Sequence, residues 1–360
     1  MRSSALKILM LTRYPAMGSS SRYRLIQYAP LFRKEGHTVE IQELLDERYL
    51  TQLYEKRRRN WRSVISGYAK RVASFSRLSK FDVVICEQEM LPFFPSLVEK
   101  FAMSRHPRFV LDYDDGAYVK YERWPILRTR IPRLMAAAHT VVVGNSHLAT
   151  YARRYSNRVH IVPTVVDMSR YVVEVDEADS EIIRLVWIGM PINAEYLRLV
   201  LPAIMRLQQE YPKVRLRLIG AGDRIPVGGL DVELFDWSEE TEVKLLVESD
   251  IGIMPLPDTE FSRGKCGLKL IQYMALGLPV VASPVGENNE IVGENECGFL
   301  ASSEDEWFVK LEALICSAEL RKRLGDAGRQ KAKAFYSLEY GFSRWKAILS
   351  DDSTASRPDR

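Results

Sequence analysis

The chain has 360 residues, of which 46% are hydrophobic and 27% charged, with a net charge of +4. That length is enough for two ordinary domains with sizeable cores; the composition excludes a disordered or fibrous chain, and the mild basicity is too small to argue for nucleic acid. Four cysteines (Cys86, Cys266, Cys297 and Cys316) make no C-x-x-C pair and have no histidine cluster nearby, which argues against a zinc site or disulfide framework and for a reducing compartment.

The first strand-like run is KILMLT (7–12), whose apolar part Ile8–Leu11 is too brief for a signal peptide. No uncharged apolar run is long enough for a transmembrane helix. A Gly-Ser loop, AMGSSSRYR, follows, and then TVEIQEL (38–44). Residues 47–80 read as a helical stretch rich in cations, with Tyr49, Tyr54, Trp61 and Tyr68 along it. A basic helix with aromatics suits an anionic membrane surface; the plain alternative is a solvated excursion between two strands. Further strands are expected at DVVIC (82–86), RFVLDY (108–113), TVVVG (140–144) and VHIVP (159–163). After an acidic, weakly patterned stretch at 172–182, the rhythm restarts with IRLVWIG (183–189), VRLRLIG (214–220), DIGIMPL (250–256) and LPVVAS (278–283). Amphipathic helices are expected in TEVKLLVESD and across the stretch beginning EDEWFVKL.

Strands alternating with helices predict an α/β chain of two Rossmann-like, doubly wound parallel-sheet domains. The expected boundaries are 1–172 and 183–339, with a helix at about 340–352 packing back on the first domain and a disordered tail at 353–360. Ligands of such sheets bind beyond the C-terminal strand ends, so a cleft between facing sheets is the expected site.

The most informative segment is GKCGLKLIQYMALGLPVV, starting at Gly264. A glycine-containing polar loop enters a short helix, which stops at a glycine before a buried strand. Lys269 and Gln272, three apart, share a helix face, and Arg263 and Lys265 stand just before it. Three cations near a helix N-terminus predict a site for a phosphorylated ligand.

These pieces resemble the two-domain GT-B glycosyltransferases of the retaining family 4 type, over roughly residues 6–340. IQYMALGLPVVAS resembles the family's "E-A-M-A-x-G-x-P-V-V" run, SPVGENNEIV its "G-G-x-x-E-I-V" loop, IVPTVVDMSRY its hinge, and AMGSSSRYR its first glycine-rich loop. There are departures. The two glutamates of the family's E-x7-E pattern fall on Gly264 and Gln272. The Arg and Lys expected after the WIG strand are absent from GMPINAEYL, and Glu287 replaces the second loop glycine. The chain therefore reads as a divergent branch in which Arg263, Lys265 and Lys269 take over phosphate neutralisation.

The resemblance implies a metal-independent hexosyl- or glycosyltransferase that moves a sugar from a nucleotide-sugar, a co-substrate and not a cofactor, to a sugar, lipid-linked or other hydroxyl acceptor. The first domain would take the acceptor and the second the donor. Expected catalytic residues are Asp114, Asp115, Lys269 and Arg263. Expected donor contacts are Gly18, Arg22, Lys265, Gln272 and the loop Gly286, Glu287, Asn288, Asn289, Glu290. Arg24, Glu87 and Glu89 are expected on the acceptor side, with Arg24 alternatively paired to a carboxylate. No metal ligands are expected, and the five histidines share no metal spacing. Asn145 reads as a helix cap and Trp187 as core. Polysaccharide or glycolipid assembly, in the cytoplasm or at the inner membrane face, is the expected setting. The alternatives are a non-catalytic nucleotide or phosphosugar binder of the same fold, and a dinucleotide oxidoreductase. The latter lacks a proper G-x-G-x-x-G after the first strand.

Overall fold

Long runs of Val, Ile and Leu with little alternation are what strands covered on both faces require, and parallel sheets need such strands. The computed structural model, which describes residues 5–54, 60–172, 181–222, 225 and 227–350, has twelve strands among them, all paired in parallel. They form two six-stranded sheets in two units. The first unit holds Met1–Thr164, Gly264–Cys266 and Leu338–Arg360; the second holds Val165–Arg263 and Gly267–Ser337. The expected linker falls largely on 173–180, and the expected tail on 353–360; both lie outside the described residues.

The first unit contains β1 (Lys7–Thr12), β2 (Thr38–Glu43), β3 (Val83–Glu87), β4 (Phe109–Tyr113), β5 (Thr140–Val143) and β6 (Val159–Ile161). Their order is β2-β1-β3-β4-β5-β6, so the direction of winding reverses between β1 and β3. Ile8 pairs with Val39 on one side and Val83 on the other. Every residue of β3, β4 and β5 is buried, and each aliphatic side chain so removed from water contributes about 1.5–3 kcal/mol. Helix Leu338–Ser350 completes this unit. Trp345 packs edge-on to Tyr28, and Phe342 to Phe32 at 4.9 Å between ring centres.

The stretch 47–80 is not one continuous helix. A helix at Glu47–Tyr54 is followed by residues 55–59, outside the described set; a second helix, Trp61–Ser74, then starts where the Asn60 side chain accepts the Arg62 N–H. Asn60 is a preferred capping residue, which sequence periodicity alone does not reveal. A 3-10 turn at Phe75–Lys80 follows.

The second unit contains β7 (Ile183–Ile188), β8 (Val214–Ile219), β9 (Val232–Phe235), β10 (Ile251–Met254), β11 (Val280–Ala282) and β12 (Gly298–Leu300). Their order is β12-β11-β10-β7-β8-β9, and the reversal lies between β7 and β10. Trp187 and Trp307 are buried in its core with Leu185, Ile204, Leu216 and Leu311. Helices Glu304–Cys316 and Ala318–Phe335 begin at Ser303 and Ser317, whose hydroxyls accept the N–H groups of Glu306 and Leu320. Among the described residues, no helix is long and apolar enough to cross a membrane.

Candidate active site

In the first unit the loop after β1 turns into helix Ser19–Arg24, and the chain after β3 runs Glu87-Gln88-Glu89. Glu87 binds across this reversal point. It accepts the Arg13 N–H at 2.9 Å and the hydroxyls of Ser20 and Ser21 at 2.5 Å each. Burial, and then Asp114, push its carboxyl above the usual range. Gly18 sits at the helix N-cap with its Cα pressed on Tyr14, where an added Cβ would stand 2.5 Å from the tyrosine Cβ. Its missing side chain therefore serves packing. Arg22, an expected donor contact, is buried with its guanidinium over the Tyr23 ring.

Arg24 resolves to its second alternative. It is buried, and its fork holds Asp112 through Nε at 3.0 Å and Nη2 at 2.6 Å, while Nη1 donates to the Val162 carbonyl and Thr164. Burial opposes its charge, but Asp112 and the hydrogen bonds to it more than compensate and raise its pKa. Glu89 is also turned inward, contrary to an acceptor-reading role. It accepts Tyr121 Oη at 2.8 Å and Arg130 Nε at 2.5 Å, with Lys120 at 3.2 Å. Burial disfavours its charge, yet Lys120 and Arg130 hold its pKa below the usual carboxylate value. Arg130 also reaches Glu99, whose carboxyl burial pushes up to about 7. Buried charges must be paired, so sequence position at a strand end did not make Arg24, Glu87 or Glu89 available.

Asp114 and Asp115, after β4, are half-buried. Gln88 Nε2 donates to Asp114 at 3.0 Å and to Asp115 at 3.3 Å. Gln88 has φ 54°, a left-handed conformation unusual for a side-chain-bearing residue, and its N–H donates to the Asp112 carbonyl at 2.7 Å. Burial and then Asp114 raise the Asp115 carboxyl to about 6, against the pull of Lys120, Lys265 and Arg13. Gly264–Cys266 lies here too. Asn145 caps helix Ser146–Ala152 by accepting the Leu148 N–H, as expected, and its Nδ2 donates to the carbonyls of Gly264 at 3.0 Å and Lys265 at 3.1 Å. Cys266 Sγ is 3.0 Å from the Asp114 carbonyl. Burial lowers the Lys265 pKa, while Asp115 and Asp114 support its charge. A Cβ on Gly264 would stand 2.6 Å from the Gly116 nitrogen, so the glutamate of the family pattern has no room at this position.

In the second unit, helix Leu268–Ala275 starts at Gly267 with no side-chain cap, and a helix N-terminus favours an anion. Lys269, in its first turn, packs over the end of β7: its Cε is 2.8 Å from where a Cβ on Gly189 would stand, and its Nζ is 5.3 Å from the Trp187 ring centre. Arg263 is half-exposed and forks onto Asp258 through Nε at 2.7 Å and Nη2 at 2.9 Å. The neighbours of the three cations differ: Arg263 holds Asp258, Lys265 is supported by Asp115 and Asp114, and Lys269 lies over Trp187. Gln272, an expected donor contact, is buried, and its Nε2 donates to Tyr171 Oη at 3.0 Å.

The loop after β11 is held by its own polar groups. Ser283 Oγ accepts the Leu256 N–H, and Asn288 Nδ2 donates to the Ser283 carbonyl at 3.0 Å. Gly286 has φ 56°, and a Cβ there would stand 2.5 Å from the Arg263 carbonyl oxygen. The loop and the Arg263 backbone therefore touch because position 286 is glycine. Glu287 begins the short helix Asn288–Val292, Asn289 donates back to the Gly286 carbonyl, and Glu290 is exposed. Trp237 Nε1 donates to buried Glu242 at 2.8 Å.

Comparisons with known proteins agree with this architecture. Residues 183–317 match the family model described as Glycosyl transferases group 1. The chain is 28% identical over 195 residues to an MMP alpha-(1->4)-mannosyltransferase of Mycolicibacterium hassiacum, covering 51% of this chain and 46% of that one. It is 25% identical over 228 residues to an N-acetyl-alpha-D-glucosaminyl L-malate synthase of Bacillus anthracis, covering 61% and 57%. The matches thus span about half the length of these curated relatives. Among solved structures, Anabaena HepE in complex with UDP and glucose superposes with a TM-score of 0.70 over 96% of this chain and 99% of that one, at 16% identity, a likeness of fold. Residues 183–317 thus carry the glycosyltransferase match, and the two parallel six-stranded sheets are those of GT-B glycosyltransferase structures.

Proposed function

We propose that the chain transfers a sugar from a nucleotide-sugar to a hydroxyl acceptor, with the donor held by the second unit and the acceptor by the first. The observation that carries this reading is Lys269 in the first turn of an uncapped helix, beside Gly189 at the point where the second sheet reverses. Open α/β sheets bind ligands at that point, and a helix N-terminus with a lysine favours a diphosphate. The Arg263–Asp258 pair is solvent-exposed, and such pairs are weak, so Arg263 exchanges its partner for a phosphate at little cost.

The transfer proceeds with retention by front-face attack. The bond from the anomeric carbon to the donor phosphate oxygen breaks, a bond to the acceptor oxygen forms on the same face, and the acceptor proton passes to the departing phosphate. Lys269, Arg263 and the helix N-terminus stabilise the charge that develops on the diphosphate. Asp115 orients the acceptor hydroxyl, with Gln88 and Lys265 fixing its position. Assembly of a polysaccharide or glycolipid is the setting this reading favours. A thermal-shift panel of UDP-, GDP-, ADP- and CDP-sugars should identify one donor that raises Tm with concentration, by about 2.7 kcal/mol of stabilisation at a hundred times its Kd. NMR of the first-formed product should show retained anomeric configuration; inversion discards the front-face course.

One observation favours a second reading. Gly264 has no space for a glutamate, and Gln272 is bound to Tyr171, so neither acidic position of the family pattern is filled. A binder of nucleotide or phosphosugar without turnover fits these losses. It predicts the same thermal shift with neither transfer nor donor hydrolysis.

A further inference from the structure

Ten of the twenty exposed large hydrophobic side chains among the described residues fall between positions 61 and 126, all in the first unit. They occur on three segments. Trp61, Ile65 and Val72 share one stripe of helix Trp61–Ser74 with Tyr68. Phe93, Phe94, Leu97, Val98 and Phe101 cover a loop and the outer side of helix Leu97–Ser104. Trp124 and Ile126 stand on the turn after Val119–Glu122, with Ile126 82% exposed.

The segments touch. Tyr68 and Phe94 have ring centres 5.4 Å apart, and Tyr68 Oη donates to the Pro92 carbonyl. The Phe93 ring lies 5.5 Å from Tyr121, whose hydroxyl accepts the Phe93 N–H. Cations frame the apolar groups: the Arg105 guanidinium lies 3.7 Å from the Phe101 ring centre and that of Arg123 5.9 Å from Trp124. Arg62, Lys70 and Lys100 are exposed on the same segments, where Glu122 is the one exposed carboxylate among the described residues.

We propose that this face of the first unit binds an anionic lipid surface. Aromatic and aliphatic side chains enter the headgroup boundary while arginines and lysines pair with lipid phosphates, the combination that holds peripheral proteins on membranes. A protein partner of mixed charge is the poorer match, because the cations of the face are almost unopposed. The proposal is independent of the transfer reaction and places the larger share of the contact on 93–101 and 124–126, beyond the basic stretch at 47–80.

The test is co-sedimentation of the full chain with phosphatidylglycerol–phosphatidylcholine vesicles and with pure phosphatidylcholine vesicles. The proposal expects binding to the anionic vesicles that weakens with salt, and at least a roughly tenfold loss of lipid affinity in the Leu97→Ser/Ile126→Ser double variant. An unchanged Tm shows that the variant is folded; Trp61→Ser/Val72→Ser, on a different helix, gives a second arm if it is not. Three results overturn the proposal: no binding to anionic vesicles, equal binding by wild type and both folded variants, or a self-associated species that the substitutions dissociate while lipid binding is absent.

Discussion

The first sheet reverses between β1 and β3, and the Glu87 carboxylate fills that point with three hydrogen bonds to Arg13, Ser20 and Ser21. The second sheet reverses between β7 and β10, and there a lysine and an uncapped helix face the strand ends. One fold thus presents two electrostatic states at equivalent places. In the first unit the protein supplies its own anion, which takes up the Arg13 N–H and the Ser20 and Ser21 hydroxyls, and the residues nearby become structural. In the second unit a lysine in a helix's first turn brings positive charge to the strand ends, where an anion is favoured. The comparison teaches that a charged residue at a strand end can be consumed by the fold itself, as Glu87 is by Arg13, Ser20 and Ser21.

The largest effect that would sharpen this contrast is on stability in the first unit. Arg24→Ala leaves Asp112 buried and unpaired and should cost about 3–5 kcal/mol, read as a lower urea midpoint. A midpoint equal to wild type would break the claim that the first reversal region is structural. Next comes Lys269→Ala. It should lower the transfer rate about 100- to 1,000-fold, as loss of one transition-state charge donor does, with little change in Tm. An equal fall in stability would instead assign Lys269 to packing against Trp187. Gly264→Glu, which restores the family's glutamate, forces the side chain onto the Gly116 backbone and should destabilise the chain by about 1–3 kcal/mol without raising the rate. A faster enzyme of normal Tm would show that this loop yields easily.

The smallest effect is a pH dependence. The Asp115 carboxyl is raised from 3.8 to about 6 in the folded chain, so the folded state holds the proton more tightly than the unfolded one. Its contribution to stability is full below pH about 4 and is lost as pH rises through about 6. Asp115→Asn should flatten that part of the urea midpoint against pH; an unchanged profile assigns the titration elsewhere.

Ten strands and the two-sheet plan were legible because buried stretches such as VVIC in β3 and LVWI in β7 are apolar throughout. β9 was missed because it is an edge strand with an exposed end, and β12 because it is only three residues long. Much less of the site was legible. Lys265 is two residues from Arg263 in sequence, yet it groups with the first unit beside Asp115. Nothing in the run R-G-K-C-G marks that excursion, although two glycines in four residues were a weak sign of an unusual path. Gln88 lay unremarked between two glutamates; its bridge to Asp114 and Asp115 depends on a left-handed backbone that a residue name does not disclose. Asn145 and Trp187 were readable because capping and burial are local properties.

The central claim is that an anion binds at Lys269 in the second unit. Isothermal titration calorimetry of wild type and Lys269→Ala with the nucleoside diphosphate of the donor chosen by the thermal-shift panel tests it directly. The account predicts saturable binding to wild type and at least about a tenfold higher Kd for the variant, a difference of about 1.4 kcal/mol. Equal affinity in the two folded proteins would contradict it.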